Sequence, residues 1–302
     1  MQRQRVKHGE FTVKLNETAL AELAEAHGTA QIVVTESGHR IYERLFTDEA
    51  VDVFAVQKGL VALLFGIAGE QGLVDLDDPI NHHLTPGWTE LGPSDEASLS
   101  VRTLLTMTTG MSDTLGPEGT VNRTWRYNNV AYNYLKKILC LHTGLTLDEV
   151  TREWLTGPLG MTSTRWVDRD QILPDGRPLT GLLSTATDLA ALAALVLDRG
   201  RDLVPAWFIA EMTRPGSDEN PAWGLCWWAN NRGHFMVPMR DGTRDGPIIP
   251  AAPRDLIAAR GAGENGLYVV PSLGLTVTRT ARPGRATVRG SFERPLWELL
   301  CG

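Results

Sequence analysis

A lysine in a strongly apolar stretch is the first candidate for chemistry in this sequence. Residues 55–71 are apolar on nearly every side and are followed by Gly72, which predicts a helix buried in the centre of the fold. Burial penalises the charged form of Lys58 and favours the neutral amine. On spacing alone, Lys58 is equally compatible with a structural role, in which it reaches the surface or an ion pair.

Position 55 precedes Lys58 by three residues, so on a helix both lie on one face and close enough to touch. A neutral amine beside a hydroxyl can activate that hydroxyl as a nucleophile. Ala55 offers a methyl group instead. The pair therefore has the spacing of a base and its nucleophile but lacks the nucleophilic oxygen.

A second candidate is the segment Trp-Arg-Tyr-Asn-Asn at residues 125–129, which precedes a predicted helix. The phenol of Tyr127 can relay a proton, and the amide of Asn129 can orient a lysine or hold a substrate carbonyl. The alternative is that Tyr127 is a packing ring and Asn129 caps the helix that follows.

The third candidate is the glycine-rich run Arg-Gly-Ala-Gly-Glu-Asn-Gly at residues 260–266, which leads into a predicted strand. Glycines beside a strand let a substrate backbone approach closely. A backbone N–H there could donate to a developing oxyanion. A hairpin turn is the alternative explanation of the same glycines.

Elements that could position these residues follow from periodicity, caps and turns. Strands are predicted over residues 30–35, 40–46, 223–229, 268–270 and 275–280, and helices over 18–27, 101–107, 130–142, 146–154, 185–197 and 291–300. Residues 232–253 predict a long irregular loop, a candidate lid or rim. The fold class is α/β (α+β), with one antiparallel sheet built from both ends of the chain and flanked by helices. Residues 1–74 and 186–302 form the predicted sheet domain, and residues 75–185 form an inserted, mostly helical lobe.

Composition narrows the class of protein. The 302 residues carry a net charge of −7 with no basic stripe, which argues against nucleic-acid binding. The three cysteines are scattered, and Cys140 and Cys226 lie in apolar periodic stretches that predict buried free thiols; we expect no metal and no cofactor. We see neither a secretory signal nor an apolar stretch long enough for a membrane, so we expect a cytoplasmic protein. The oligomeric state is not readable from the sequence.

Taken in order, these segments resemble the serine β-lactamase-like superfamily. The closest resemblance is to the class C β-lactamase-related serine hydrolases, including family VIII carboxylesterases and nylon-oligomer hydrolases. It spans nearly the whole chain and is carried by residues 55–80, 101–111 (Val-Arg-Thr-Leu-Leu-Thr-Met-Thr-Thr-Gly-Met), 127–129, 157–162, 181–186 and 261–271. The resemblance implies a β-lactamase/D,D-peptidase-like sandwich with an all-α lobe.

The resemblance also implies roles at matching positions. Position 55 would hold the nucleophile, Lys58 would be the general base or its partner, and Tyr127 the proton relay. Asn129 would support the lysine and contact the acyl amide. The backbone N–H groups of Ala55 and Ala262 would form the oxyanion hole.

Two departures from the family pattern matter. Ala55 cannot form an acyl-enzyme, and losing the nucleophile costs roughly a millionfold in rate in a serine protease. Ala259-Arg260-Gly261 replaces the Lys-Thr-Gly or His-Thr-Gly box, which weakens a β-lactam interpretation. Arg260 could pair bidentately with a substrate carboxylate in its place, or turn outward into solvent.

Further candidates for substrate binding are Gly261, Gly263 and several tryptophans. Trp125, Trp166, Trp227 and Trp228 fall near the predicted site segments and could line an apolar pocket. Packing in the core or between lobes is the alternative for each of them.

The favoured function is a serine hydrolase acting on a small-molecule ester or amide through an acyl-serine, present here in a Ser→Ala inactivated form at position 55. The retained lysine and its partners favour this hypothesis, since a buried lysine is costly to keep. The alternatives are a transacylase in small-molecule biosynthesis, a β-lactamase or D,D-peptidase-like enzyme, and a natural non-catalytic ligand-binding homologue.

Overall fold

The computed structural model describes residues 13–284 and 290–302 of the chain. The helices are α1 Glu17–Ala26, α2 Val56–Glu70, α3 Pro93–Ala97, α4 Val101–Thr106, α5 Asn129–Thr143, α6 Leu147–Thr151, α7 Ala186–Leu197, α8 Ala206–Glu211 and α9 Glu293–Cys301. The strands are β1 Thr29–Glu36, β2 His39–Leu45, β3 Val51–Asp52, β4 Arg165–Ile172, β5 Pro178–Ser184, β6 Trp228–Ala229, β7 His234–Met236, β8 Thr243–Asp245, β9 Ile257–Arg260, β10 Gly266–Val270 and β11 Leu275–Ala281.

The main sheet has the strand order β2-β1-β11-β10-β9-β6, and its neighbouring strands are antiparallel. β1 pairs with β11 so that Val33 faces Thr278 across the ladder. The prediction of an antiparallel sheet assembled from both ends of the chain is therefore confirmed, as is the mixed α/β class.

Helices cover both faces of this sheet. Val33 clusters with Ala186 and Ala190 of α7, whereas Ile32 and Val34 join the main core on the opposite face. Successive side chains of a strand point to opposite faces, so a strand covered on both sides must be apolar at consecutive positions. The β-branched run of β1 meets this requirement.

α2 is the central helix, and thirteen of its fifteen residues are buried. Two glycines allow close packing around it. A Cβ on Gly59 would lie 2.9 Å from the Cβ of Ala259, and one on Gly66 would lie 2.7 Å from the ring of Phe208. The apolar sequence of α2 thus places its first turn, with Lys58, against β9 and the interior of the fold.

The structure departs from the predicted elements in several places, among them α8 and β3, which were not predicted. β4 and β5 form a hairpin that pairs with β3, inside the region predicted to be mostly helical. Charged residues dominate the exposed face of β4 and obscured its alternation. β7 and β8 form a hairpin within the predicted irregular loop. The predicted strand over residues 223–229 narrows to β6, because Cys226 has φ +60°, which interrupts an extended backbone.

Other expectations from composition have mixed outcomes. Cys226 and Cys301 are buried free thiols, but Cys140 is half-buried. No helix in the described ranges combines the length and apolarity that crossing a bilayer requires. The division into a sheet domain and a lobe at residues 75 and 185 stays a prediction.

Candidate active site

The site begins at the sharp turn that joins β3 to α2. Phe54 has φ +50°, which is unfavourable for a bulky side chain. Its N–H donates to Oδ1 of Asp52 at 2.7 Å, and the N–H of Val56 donates to the Val53 carbonyl at 3.2 Å. These bonds hold the turn and place Ala55 at the N-terminus of the central helix. Backbone strain of this kind concentrates at functional sites.

Lys58 lies one turn into α2 and is 3% exposed. Its Nζ donates to Oδ1 of Asn129 at 2.8 Å. It also lies 4.9 Å from the ring centroid of Tyr127 and 4.0 Å from that of Tyr132. Burial lowers the pKa of Lys58 to about 7. At neutral pH, a large fraction of the amine is therefore unprotonated and able to accept a proton.

The α5 N-terminus explains why Asn129 is available to Lys58. Asn128 is the helix cap, since its Oδ1 accepts from the N–H of Ala131 at 2.8 Å. Its Nδ2 donates to the carbonyls of Met111 and Ser112. The alternative in which Asn129 caps the helix is wrong, because the preceding asparagine does so. The amide of Asn129 points to the lysine instead.

The glycine-rich segment closes the site from the side of the main sheet. A Cβ on Gly261 would overlap the carbonyl oxygen of Val53 and would lie 3.1 Å from the backbone N of Ala55. This close approach requires glycine and brings the backbone after β9 beside residue 55. Among the described residues, the backbone N–H groups of Ala55 and Ala262 have no hydrogen-bond acceptor. Both residues line the same cavity.

Arg279 holds the part of this segment that follows Ala262. Arg279 on β11 is fully buried, and its Nη1 donates to the carbonyls of Gly263 and Glu264 at 2.7 and 2.9 Å. Gly263 has φ +72°, a conformation that glycine adopts without strain. The carboxylate of Glu264 accepts from the backbone N–H groups of Gly290 and Phe292. The segment that carries Ala262 is thus held by fixed partners.

These elements surround a cavity of about 760 Å³. Its walls bring together the predicted site residues Ala55, Lys58, Tyr127, Asn129, Arg260, Gly261, Ala262 and Gly263. An amine, a phenol, an amide and two backbone N–H groups therefore meet in one space of small-molecule size. Such an arrangement can bind a carbonyl group and move a proton beside it.

The tryptophans divide between the cavity wall and the core. Trp228 lines the cavity, together with Trp223, which was not among the predicted site residues. The ring of Trp125 makes edge contacts with both of them from behind. Trp166 and Trp227 are buried elsewhere, and their Nε1 atoms donate to Oγ1 of Thr151 and to the carbonyl of Gly59.

Arg260 has a partner that the sequence did not reveal. Its Nε donates to Oε1 of Glu293 on α9 at 2.6 Å, and its Nη2 bonds the other carboxylate oxygen. The hydroxyl of Tyr268 donates to the same carboxylate at 2.7 Å. Although burial disfavours the charged guanidinium, the Glu293 carboxylate holds the pKa of Arg260 above its ordinary value. The expectation that Arg260 turns outward into solvent is wrong, since an internal acid binds it.

A second buried lysine lies behind the site. The Nζ of Lys136 donates to Oε1 of Gln57 at 2.6 Å and to the carbonyl and Oγ1 of Thr180 at 2.9 and 2.8 Å. Burial, and to a smaller extent the charge of Lys58, lowers the pKa of Lys136 well below its ordinary value. The ring of Tyr132 lies within 4.0 Å of the Lys58 Nζ and 5.1 Å of the Lys136 Nζ. Lys136 was not predicted as a buried polar residue, because it lies on the apolar side of α5.

The rim of the cavity comes from other parts of the chain. Residues 237–240, between β7 and β8, form part of the wall. Arg169 of β4 also lines it and pairs with Asp52 at 2.6 Å. The described residues include no cluster of three or more His, Cys, Asp or Glu side chains able to hold a metal.

The fold and this convergence of lysine, tyrosine, asparagine and glycine-rich segment define the serine β-lactamase-like class. The chain matches the Beta-lactamase family over residues 16–279 and belongs to that family.

Solved structures with this fold include two β-lactamases. A β-lactamase from Mycobacterium bovis is 22% identical with a TM-score of 0.69, covering 92% of this chain and 95% of its own. A class C β-lactamase from Rhodobacter sphaeroides is 18% identical with a TM-score of 0.66, covering 93% and 97%.

A third similar structure is an amidohydrolase. The D-stereospecific amidohydrolase from Streptomyces sp. is 17% identical with a TM-score of 0.66, covering 88% of this chain and 94% of its own. A search of curated proteins gives no significant match. At these identities, the three structures establish the fold.

Proposed function

We propose that the cavity binds a small ester or amide, and that the substrate carbonyl oxygen accepts from the backbone N–H groups of Ala55 and Ala262. The single observation that carries this proposal is the convergence of these two N–H groups with the Lys58–Asn129 pair in one cavity. Membership of the Beta-lactamase family supports a hydrolase.

In the proposed reaction, a serine at position 55 is the nucleophile. Its hydroxyl attacks the carbonyl carbon while the neutral amine of Lys58 takes the proton. The two N–H groups stabilise the negative oxygen of the tetrahedral intermediate. The leaving group departs with a proton, which Tyr127 relays from Lys58 in this proposal, and water then releases the acyl group from the serine.

With Ala55, the first covalent bond of this sequence cannot form. We propose that position 55 carries a Ser→Ala change and that the chain binds its substrate without turnover. Two features support this. The lysine remains buried without an acidic partner in the described structure, which is costly unless the amine has a use. The strained turn at Phe54, which would present a nucleophile, is also retained.

The wall of the cavity suggests the kind of substrate. Trp223 and Trp228 offer an apolar surface for an acyl or leaving group. Arg260 is occupied by Glu293, so the carboxylate grip proposed for it is weakened. The D-stereospecific amidohydrolase with this fold adds amides of D configuration to the substrates worth testing.

The Ala55→Ser variant tests the proposal. We expect it to react covalently with a fluorophosphonate and to hydrolyse a short-chain aryl ester, while the Ala55 protein does neither. A panel of esters, amides, D-amino-acid peptides and a chromogenic β-lactam, each with and without an added amine, would identify the substrate and separate hydrolysis from transacylation. A folded Ala55→Ser protein that shows neither labelling nor turnover would contradict the acyl-serine mechanism.

A further inference from the structure

Ala55 changes the surroundings of Lys58 as well as removing a nucleophile. The side chain of residue 55 cannot bond the lysine amine. The bonded partner of the Nζ is the neutral Asn129 amide, and no carboxylate of the described residues lies within ion-pair distance of it. Lys58 lines the cavity and is otherwise enclosed by the rings of Tyr127 and Tyr132. Aromatic rings attract a cation, so it is burial without a carboxylate partner that disfavours the protonated amine here.

We propose that Lys58 is itself a nucleophile in this protein, and that it forms an imine with aldehydes or ketones that enter the cavity. The proposal rests on the position of the amine in the cavity wall, on its burial and on its neutral hydrogen-bond partner, the Asn129 amide. It needs no hydroxyl at position 55. It is therefore independent of the acyl-serine mechanism.

The chemistry balances without a further reactant. The lone pair of the Lys58 Nζ attacks the carbonyl carbon, and the C–N bond forms as the carbonyl π electrons move to oxygen. Two protons leave the nitrogen and depart with that oxygen as water. The product is a C=N bond between the lysine and the ligand. A lysine reacts in this way only when unprotonated, which is why lysines that form Schiff bases are desolvated.

The pKa of Lys58 supports the proposal. With a pKa of about 7, roughly half of the amine is neutral at pH 7. An exposed lysine with a pKa near 10.4 is neutral in about one molecule in 2,500 at that pH. Lys58 therefore presents far more of the reactive form than a surface lysine does.

Other residues of the cavity wall suggest the ligand class. Trp223, Trp228 and Val237 provide apolar surface in the same cavity. We therefore expect carbonyl compounds with an aromatic or apolar group to react better than small polar ones. Benzaldehyde is a suitable probe, because it has one aldehyde and an aromatic ring that the cavity can hold.

Lys136 is a built-in control. It is as deeply buried as Lys58, and burial also lowers its pKa. Its Nζ, however, donates three hydrogen bonds, to Gln57 and twice to Thr180, and it does not line the cavity. A comparison of the two lysines separates access to the cavity from burial alone.

The experiment is reductive trapping with the protein as it stands. Folded protein is incubated with benzaldehyde at pH 7, sodium cyanoborohydride is added, and the five lysines of the sequence are mapped by peptide mass spectrometry. We expect Lys58 to be labelled at least tenfold faster than Lys14, Lys136 or Lys137. The ratio of Lys58 labelling to that of an exposed lysine should be largest near pH 7 and should shrink toward pH 10, where exposed lysines also become neutral.

Two outcomes would overturn the proposal. One is labelling of Lys58 no faster than of Lys14 and Lys137. The other is equal labelling of Lys136, which would mean that the cavity plays no part. The Lys58→Arg variant should lose the fast adduct, and the labelling map of the Ala55 protein remains decisive if that variant does not fold. Failure of the Ala55→Ser variant to react with a fluorophosphonate would leave this result unaffected.

Discussion

The Nζ of Lys58 bonds the Oδ1 of Asn129 at 2.8 Å, so the buried amine has an uncharged amide as its partner. An amide oxygen accepts a hydrogen bond from both the neutral and the charged amine, whereas a carboxylate would strongly favour the charged form. Because the amide does not strongly favour the charged form, burial is the larger effect, and it lowers the pKa of Lys58 to about 7. It is the arrangement that a general base or a nucleophilic amine requires.

The first prediction concerns this partner. In the Ala55→Ser protein, acylation should follow the neutral fraction of Lys58 and rise with pH through about 7. Asn129→Asp places a negative charge against the amine, raises its pKa and moves the rise to higher pH by more than about one unit. The measurement is the pH dependence of fluorophosphonate labelling. Asn133→Asp, which adds a charge to the same cavity wall, is the control and should shift the profile less. An unchanged profile in Asn129→Asp would show that Lys58 is not the base.

The second prediction concerns stability. The pKa of Lys58 falls from 10.5 to about 7 on folding, so below pH 7 the folded state carries the full penalty of a buried charge. Between these values the unfolded state binds more protons, and stability rises with pH. Lys58→Met should therefore raise the free energy of unfolding by about 1–3 kcal/mol at pH 6, after allowing for the unpaired Asn129 amide.

The advantage of Lys58→Met should shrink steadily between pH 7 and pH 10. Urea denaturation at pH 6, 8 and 9.5 measures it. A difference between the two proteins that stays constant with pH would mean that Lys58 keeps an ordinary pKa in the folded state.

The third prediction concerns the contact between Gly261 and residues 53–55. Gly261→Ala would drive a methyl group into the carbonyl of Val53, so the segment carrying Ala262 must move away. We expect a loss of about 1–3 kcal/mol in stability and a fall of about 100-fold in acylation of the Ala55→Ser protein. Gly233→Ala has open space around its Cβ and is the matched control. Equal rates for the two variants would argue against an oxyanion site at Ala262.

The fourth prediction concerns the buried Arg260–Glu293 pair. Arg260→Ala leaves the carboxylate of Glu293 without its cation, and we expect it to destabilise the protein by about 3–5 kcal/mol. Arg240→Ala removes an exposed arginine from the same cavity and should change stability by less than about 0.5 kcal/mol. Thermal unfolding of both variants checks this. A small effect of Arg260→Ala, with weakened substrate binding in the Ala55→Ser protein, would instead assign Arg260 to the substrate.

Much of the fold could be predicted because its signals are local. The β-branched run of β1, the capping box at Thr146 and Glu149, and the apolar sequence of α2 each specify an element within a few residues. The β4–β5 hairpin was missed because charged side chains on its exposed face conceal the period of two. The order of the family motifs along the chain predicted the site better than any single residue did.

The hydrogen-bond partners of the site residues could not be predicted, because they depend on contacts between distant segments. Asn128 and Asn129 are equally able to cap α5, and the partner of each is decided by α2 and by residues 111–112. Glu293 follows Arg260 by 33 residues, with two strands between them. Lys136 finds its acceptors on α2 and β5, which its own helix does not reveal.

The place of β11 in the main sheet has a consequence for biosynthesis. β11 joins β1 to β10, and the Arg279 of β11 bonds the Thr29 of β1 across 250 residues. During translation, β1 therefore leaves the ribosome long before β11 is made. Pairing between strands so far apart in sequence is slow, and until it occurs the edge of β1 that will bond β11 stays unpaired. The nascent chain cannot complete the sheet until β11 emerges, so we expect it to depend on chaperones that shield β1 during translation.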